Sequence, residues 1–233
     1  KRACPKHIGI ILDGNTRFAK RLMIKPWQVY EWGTKKVEKL LDWCREYDVK
    51  ELTLYCFSIE NFHSRPKNEF DYLMDLFHKE FVKIKDDERL AKYKIRLNFI
   101  GRLNLFPQKL QDVMKMLMEK TKGNANYIVN FAMAYGGQDE IVDATKKIAE
   151  QVKEGKLNID QINKEIFANA LYMKDEPDIV IRTGGEKRTS NFLPFQTAYS
   201  EWIYLEKMWP EFEKEDFEKC IEEYQQRQRR FGQ

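Results

Sequence analysis

The chain has 233 residues, of which 42% are hydrophobic and 33% charged, with a formal net charge of +4. This length can bury a substantial core, and an aromatic content of 13% excludes a disordered chain. The charges are balanced in sign, so the composition does not favour a nucleic-acid-binding protein.

Short apolar runs alternate with long amphipathic stretches along the chain. A buried strand is predicted at 7–12, a helix at 31–47 and a second strand at 51–57. The later elements, in chain order, are a helix at 67–93, a strand at 94–100, helices at 107–122 and 138–154 on either side of a strand at 127–133, a helix at 160–172, a strand at 177–181 and a helix at 214–229. This alternation predicts a single α/β domain over residues 1–233, with a mostly parallel sheet and helices on both faces.

The first predicted strand ends in Asp13-Gly14-Asn15-Thr16-Arg17. An acid and a glycine at this point leave a carboxylate at the edge of the sheet and free backbone N–H groups that can face an anion. The guanidinium of Arg17 suits phosphate oxygens. An ordinary turn is the alternative, because Asp-Gly and Gly-Asn are common turn formers.

The second strand leads into residues 57–68, which are polar and contain Pro66. We predict a mobile loop there, lying over the carboxyl edge of the sheet, where open α/β sheets bind ligands. The alternative is a solvated loop that precedes a helix with an acid in its first turn. The polar and charged residues in and just after this segment are Ser58, Glu60, Asn61, Arg65 and Glu69.

Residues 182–191, directly after the last predicted strand, form the most specific local pattern in the chain. The segment combines Arg182, Lys187 and Arg188 with adjacent glycines and the hydroxyls of Thr189 and Ser190. Guanidinium forks and small residues together are typical of a diphosphate site. A plain surface turn would not need two glycines beside so many donors.

Other motifs carry less information. Tyr135-Gly136-Gly137 allows either approach to a ligand or tight packing of a strand against a helix. Asp86-Asp87-Glu88 lies within a charged stretch and lacks the DDxxD spacing by which all-helical trans-prenyltransferases hold Mg²⁺. Neither GxGxxG nor GxxxxGK[ST] is present, which disfavours nucleotide enzymes.

Three stretches resemble the cis-prenyltransferase family, which includes undecaprenyl diphosphate synthase. They are HIGIILDGNTRFAK from His7, LTLYCFSIENF from Leu52, and DIVIRTGGEKRTSNFLPFQTAYSEW from Asp178. The likeness runs from Pro5 to the terminal RQRRFG. It implies a six-stranded parallel sheet, a hydrophobic tunnel, a homodimer, and a Mg²⁺-dependent condensation of isopentenyl diphosphate with an allylic diphosphate, whether farnesyl, geranylgeranyl or dimethylallyl. The expected product is a (Z)-polyprenyl diphosphate of short to medium length.

The resemblance also implies roles for individual residues. Asp13 matches the acid that holds Mg²⁺ and assists departure of the allylic diphosphate, and Glu201 matches a second acid near the metal. The loop expected to bind the allylic diphosphate, with the aromatic residue after it, is Gly14, Asn15, Thr16, Arg17 and Phe18. Residues expected at the isopentenyl diphosphate group are Arg182, Arg188 and Ser190. Residues expected in a loop that closes over both substrates are Ser58, Glu60, Asn61, Arg65 and Glu69, with Asn61 a candidate for proton removal. Arg230 and Gly232 match a terminal motif that reaches the partner subunit.

The sequence departs from the family pattern on the allylic side. The family usually has Gly at the position of Thr16 and Trp at that of Phe18. It offers an Arg and a Gly-His pair where this chain has Pro26, Val29 and Tyr30. These changes predict an altered allylic site with an unusual donor or product, and they leave a non-head-to-tail condensation open. Cations that could compensate are Lys20, Arg21 and Lys25.

Two other functions remain as alternatives. A non-catalytic partner subunit of this fold would lose the metal acid and the arginines, which are present here. An unrelated α/β phosphate-binding enzyme would not share the motifs in this order. Along helix 67–93, Tyr72, Leu73, Leu76, Phe77 and Phe81 could line a tunnel or simply form the core face of the helix.

The sequence also bears on location. No apolar run approaches the ~20 residues needed to span a bilayer. The four cysteines, at 4, 44, 56 and 220, form no CxxC pair, which favours reduced thiols over a zinc site or disulfides. We therefore expect a soluble cytoplasmic protein, with peripheral membrane contact where a lipid product must be delivered.

Overall fold

A computed structural model describes residues 3–227. Its centre is a six-stranded sheet in which every neighbouring pair is parallel. The strands are β1 (His7–Ile11), β2 (Glu51–Ser58), β3 (Ile95–Ile100), β4 (Tyr127–Tyr135), β5 (Ile179–Arg182) and β6 (Glu201–Tyr204), in the spatial order β3-β4-β2-β1-β5-β6. β1 and β5 are buried along their whole length, as expected for the centre of a parallel sheet covered on both faces.

Helices cover the sheet on both faces and connect its strands. They are α1 (Asn15–Arg21), α2 (Pro26–Glu46), α3 (Ile59–Ser64), α4 (Lys67–Lys85), α5 (Glu88–Lys92), α6 (Gln108–Thr121), α7 (Gly137–Lys153), α8 (Lys164–Ala170) and α9 (Lys214–Gln226). The larger core lies where α2, α4, α6 and α9 bury their apolar faces. In a smaller cluster, Phe192 packs with buried side chains from the strands. None of the helices in residues 3–227 combines the length and apolar character that crossing a membrane requires.

The predicted helix at 67–93 is in fact two helices. α4 ends at Lys85, and the Asp87 side chain accepts a hydrogen bond from the backbone N–H of Arg89 at 2.9 Å, which caps α5. An Asp that competes for backbone donors favours a helix start over a helix interior, and this explains the break.

The prediction of a loop at 57–68 is wrong for most of the segment. Residues 59–64 form α3, which begins where the Ser58 hydroxyl accepts a hydrogen bond from the N–H of Asn61 at 3.0 Å. The residue patterns did not identify α1 or β6. The four residues of β6 are too few for a clear alternation of polar and apolar side chains. The six-stranded parallel sheet that the resemblance implied is confirmed.

Candidate active site

The parallel register brings the three predicted loops to one edge of the sheet. Ile11, the last residue of β1, pairs with Arg182, the last residue of β5, and with Tyr55 near the end of β2. The segments that follow these strands therefore leave the sheet side by side. This confirms that the three loops share the carboxyl edge, where open α/β sheets bind ligands.

Asp13 and Arg182 form the centre of the site. Arg182 Nη2 lies 2.9 Å from Asp13 Oδ2, and its Nη1 donates to Ser190 Oγ at 2.6 Å and to the carbonyl oxygen of Arg188. The Arg182 side chain is only 4% exposed, whereas that of Asp13 is 30% exposed. Arg182 Nε is buried and has no hydrogen-bond partner in the described residues. A buried donor of this kind is costly unless a ligand or water completes its bonding.

Two glycines allow the loops to approach each other. Gly14 has a φ of +105°, and a Cβ there would lie 2.7 Å from Met208 Cβ. Gly184 has a φ of +92°, and a Cβ there would lie 2.8 Å from Arg17 Nη2. Any larger residue would be strained at both positions and would displace its neighbour, so the glycines are needed to bring Arg17 beside Asp13.

Arg17 and Arg188 share one carboxylate at the rim of the site. Arg17 Nη1 lies 3.4 Å from Glu186 Oε1, and Arg188 Nη1 lies 3.0 Å from Glu186 Oε2. Arg17 Nη2 also lies 3.3 Å from Asp13 Oδ1. Phosphate oxygens bind guanidinium groups as carboxylate oxygens do, so these cations can exchange Glu186 for a diphosphate. Glu186 was not predicted, because an acid within a cationic loop gives no distinct sequence signal.

The segment after β2 places a fourth arginine, Arg65, at the same mouth. Arg65 Nη1 donates to the hydroxyl of Tyr30 at 2.7 Å and to Glu69 Oε1, and the Tyr30 hydroxyl donates to Glu69 Oε1 at 2.6 Å. Arg65 Nε is also buried with no hydrogen-bond partner within residues 3–227. We call residues 57–68 the lid segment, and the Tyr30 hydroxyl joins Arg65 of this segment to α2. Glu60, at the start of α3, accepts a hydrogen bond from Asn191 Nδ2 at 3.1 Å and so joins the lid to the third loop.

Tyr30 stands where the family pattern has a histidine, and its environment differs from that of an exposed phenol. Burial first, and the hydrogen bond to Glu69 second, raise the pKa of the Tyr30 hydroxyl, which keeps it a neutral donor. The sequence identified Tyr30 as a departure but could not indicate its partners, which are 35 and 39 residues away.

Most, but not all, of the predicted site residues lie at the mouth of the cavity described below. Asn15 donates to the carbonyl oxygen of Leu12 at 3.0 Å, and its buried Oδ1 has no hydrogen-bond partner in the described chain. Phe18 packs edge-on against Trp32, with ring centroids 6.1 Å apart, and does not line the cavity described below. The predicted residues that do line it at its mouth are Asp13, Gly14, Asn15, Thr16, Arg17, Ser58, Glu60, Asn61, Arg65, Arg182, Arg188 and Ser190. Glu69 contacts the mouth only through Arg65 and Tyr30, and Arg230 and Gly232 lie outside the described residues.

Glu201 does not join Asp13 within this chain. It is the first residue of β6 and pairs with Ile179 at the start of β5, three residues or ~10 Å from the edge that carries the site. Its Oε2 lies 3.0 Å from Arg227 Nη1. The resemblance implies a role for Glu201 near the metal. Within one protomer, the position of Glu201 does not support that role.

A cavity of about 1030 Å³ extends inward from this mouth. It runs between the sheet and the helices α2 and α4 and reaches Val49, Ile95 and Tyr127 at the opposite edge. Of the five side chains proposed for a tunnel, Leu73, Leu76, Phe77 and Phe81 line the cavity. The exception is Tyr72, whose hydroxyl donates to Glu31 at 2.9 Å instead. The cavity thus joins a polar, cationic mouth to an interior that is apolar along α4 and is also lined by charged residues, Arg45, Lys50 and Lys83 among them.

Tyr135-Gly136-Gly137 serves packing. A Cβ on Gly137 would lie 1.9 Å from Pro194 Cδ, and one on Gly136 would lie 2.7 Å from Ile59 Cγ2. The glycines let α7 begin directly against the third loop and the lid.

Comparison with known proteins agrees with this geometry. Residues 11–232 match the family model of undecaprenyl diphosphate synthase. The chain is 47% identical over 230 residues to a tritrans,polycis-undecaprenyl-diphosphate synthase (geranylgeranyl-diphosphate specific) of Pyrococcus horikoshii, covering 98% of this chain and 87% of that protein. An enzyme of the same name from Methanocaldococcus jannaschii is 46% identical over 98% of this chain and 82% of its own length.

A solved structure extends the likeness to the fold. Lavandulyl diphosphate synthase from Lavandula x intermedia, in complex with dimethylallyl diphosphate, superposes with a TM-score of 0.93 at 30% identity over 99% of each chain. With these matches spanning the chain, and the cationic mouth and the cavity in place, the protein belongs to the undecaprenyl diphosphate synthase family of cis-prenyltransferases.

Proposed function

We propose that this enzyme elongates geranylgeranyl diphosphate with isopentenyl diphosphate to give a (Z)-polyprenyl diphosphate that occupies the cavity as it grows. The observation that carries the proposal is the cationic mouth around Asp13 and Arg182 at the entrance of a 1030 Å³ cavity whose interior is apolar along α4. A diphosphate bound at the mouth would leave its isoprenoid chain directed into this cavity. The choice of primer is supported by two relatives at 46–47% identity, which are named as geranylgeranyl-diphosphate specific.

The reaction breaks the C–O bond between the allylic carbon and its diphosphate and forms a C–C bond to the double bond of isopentenyl diphosphate, from which one proton is lost. Negative charge develops on the departing diphosphate. Arg17 and the backbone N–H groups after Gly14 are placed to stabilise it. The buried fork of Arg182, with Ser190 and Arg188, suits the second diphosphate, and the unpaired Arg182 Nε is a donor still available to it.

Asp13 would hold Mg²⁺. Magnesium commonly binds through one or two carboxylates together with substrate phosphate oxygens, and such a site needs no protein cage. This agrees with the described residues, in which no cluster of three metal-binding side chains occurs. When bound, the ion would neutralise charge on the departing diphosphate. Proton removal would fall to Asn61 or to a diphosphate oxygen.

Assembly and location are further parts of the proposal. We propose a homodimer, and Val142, Ile159 and Ile162, which are 48%, 71% and 40% exposed, are apolar side chains available to such a contact. We place the enzyme in the cytoplasm, in peripheral contact with the membrane that receives its product.

The test is incorporation of radiolabelled isopentenyl diphosphate in the presence of Mg²⁺ and farnesyl, geranylgeranyl or dimethylallyl diphosphate, with products resolved by length. We expect the longest regular ladder and the highest kcat/KM with geranylgeranyl diphosphate. A higher kcat/KM with farnesyl diphosphate would refute the primer assignment. A single irregular product from dimethylallyl diphosphate alone would replace the proposal with non-head-to-tail condensation.

A further inference from the structure

An apolar patch is exposed where α1 turns into α2, beside the mouth of the site. Leu22 and Trp32 are 42% and 45% exposed, and Met23 is 93% exposed. Phe18 packs edge-on against Trp32, and Leu22 lies one helical turn after Phe18, with its N–H donating to the Phe18 carbonyl oxygen at 3.1 Å. We call Phe18, Leu22, Met23 and Trp32 the α1–α2 corner.

The corner presents Met23 on a defined turn. The residue has a left-handed φ of 55°, which is unfavourable for any residue other than glycine. Two hydrogen bonds fix the turn, from Met23 N–H to the Lys20 carbonyl at 3.1 Å and from Ile24 N–H to the Ala19 carbonyl at 3.0 Å. The Met23 side chain is almost fully in solvent, so contacts within the protein do not offset the unfavourable backbone conformation. Such an arrangement suits a surface that meets something apolar outside the protein.

The sequence around the corner is rich in basic residues, with the acid Glu31 next to Trp32. Between Asp13 and Glu31 the chain carries Arg17, Lys20, Arg21 and Lys25 and no acid. Arg17 and Arg21 pair with acids from other segments, whereas Lys20 and Lys25 are exposed and make no ion pair within residues 3–227. The patch is therefore a small apolar tip flanked by two unneutralised lysines.

We propose that the α1–α2 corner inserts into an anionic lipid surface and holds the mouth of the cavity against it. Apolar side chains would enter the boundary between headgroups and acyl chains, Trp32 would lie at the interface, and the lysines would face anionic headgroups. α1 begins two residues after Asp13, so docking here places the site beside the membrane. The inference rests on the proposed function in one respect, that a polyprenyl product must pass from the cavity to a bilayer.

The charge of the α1–α2 corner disfavours a second copy of this chain as its binding partner, compared with an anionic bilayer. In a symmetric dimer contact the same surface patch meets itself. The lysines of the two copies would then face each other, and juxtaposed like charges oppose association. An anionic bilayer satisfies both the apolar tip and the cations.

Vesicle binding by the full chain tests the proposal without any substrate. Co-sedimentation would compare vesicles of phosphatidylcholine with vesicles containing phosphatidylserine, at low and high salt. We expect binding to the anionic vesicles that weakens with salt, and a loss of about tenfold or more in affinity for the double variant Leu22→Ser, Met23→Ser. A matched variant, Val82→Ser with Leu105→Ser, removes two apolar side chains that are 41% and 36% exposed elsewhere and should bind as the wild type does.

Three outcomes overturn the proposal: equal binding to neutral and anionic vesicles, equal binding by wild type and the corner variant, or a change of oligomeric state in that variant with vesicle binding intact. The last would identify the corner as a protein interface. Elongation measured in detergent should be the same for the corner variant and the wild type. Failure of elongation in the wild type would refute the proposed function and leave the vesicle result standing.

Discussion

The two edges of the sheet use similar polar side chains in opposite ways. At the carboxyl edge, Asp13 lies within 3.3 Å of two guanidinium groups and is 30% exposed. At the amino edge, Glu51 is 13% exposed and accepts a hydrogen bond from Asn130 at 2.7 Å, with His7 Nδ1 at 3.8 Å. Burial raises the pKa of Glu51 to about 7 and lowers the pKa of His7 to about 4.

The difference lies in the available counter-charges. Burial without an opposite charge favours the neutral form of an acid or a base, so the amino edge stabilises uncharged groups that hydrogen-bond one another. At the carboxyl edge, two guanidinium groups contact the acid and one of them, that of Arg182, keeps an unpaired buried donor, and this arrangement favours a bound anion. The comparison predicts that substitutions at the carboxyl edge affect catalysis, whereas those at the amino edge affect stability.

The largest effect is expected for Asp13→Ala. It removes the proposed metal ligand and leaves the fork of Arg182 without its carboxylate, so kcat/KM should fall by about 10³-fold or more. Single-turnover incorporation of labelled isopentenyl diphosphate measures the loss, with Asp13→Asn as the isosteric control. A thermal midpoint close to that of the wild type would show that the fold persists. Full activity in Asp13→Ala would refute the central role of this acid.

The next effect is expected for Arg182→Lys. Lysine keeps the positive charge, but its three donors sit on one nitrogen and cannot match the spacing by which Nη2, Nη1 and Nε of Arg182 face Asp13, Ser190 and a further ligand. We expect a loss of about 100-fold in kcat/KM for isopentenyl diphosphate, or ~2.7 kcal/mol. Arg188→Lys is the matched control, because Arg188 is 65% exposed and should lose about tenfold or less. Equal losses in the two variants would show that burial of Arg182 is irrelevant.

A smaller effect is expected for Tyr30→Phe. It keeps the ring but removes the hydroxyl that bonds Arg65 and Glu69, so about tenfold in kcat/KM for the allylic diphosphate should be lost. A double-mutant cycle with Glu69→Gln checks the contact, since coupled residues give non-additive losses. Additive losses would show that the phenol acts independently of the lid segment.

Much of the frame was predictable because its signals are local. β1 and β5 are short apolar runs that end in charged loops, and the parallel register places these ends together. The resemblance supplied the sixth strand. β6 could not be found from its four residues, because its position depends on pairing with β5 rather than on its own pattern.

The site was predictable to the extent that its residues follow strands directly. Asp13 and Arg182 do so, and they lie together as expected. Tyr30 bonds partners that are distant in sequence, and Glu186 is one acid within a cationic loop. Only the folded chain therefore shows the contacts of these two residues. Glu201 shows the converse limit, because the resemblance implied a role near the metal, whereas as the first residue of a parallel strand it lies at the amino edge.

The smallest effect on catalysis is expected at the amino edge, for Glu51→Gln. Glutamine keeps an acceptor for Asn130 and stays neutral at every pH. The folded-state pKa of Glu51, about 7, lies above its ordinary value of 4.5, so the folded state binds the proton more tightly than the unfolded state does. The contribution of Glu51 to the free energy of unfolding of the wild type should therefore fall as pH rises from about 4.5 to about 7, by roughly 3 kcal/mol in total.

The variant should avoid this cost. Urea unfolding should show Glu51→Gln more stable than the wild type by up to about 3 kcal/mol at pH 8, with a small difference near pH 4.5 and unchanged elongation activity. His7 titrates in both proteins, so its opposite pH dependence largely cancels from the difference. A variant less stable than the wild type at pH 8 would mean that Glu51 is held ionised by a favourable contact, and the contrast between the two edges would then fail.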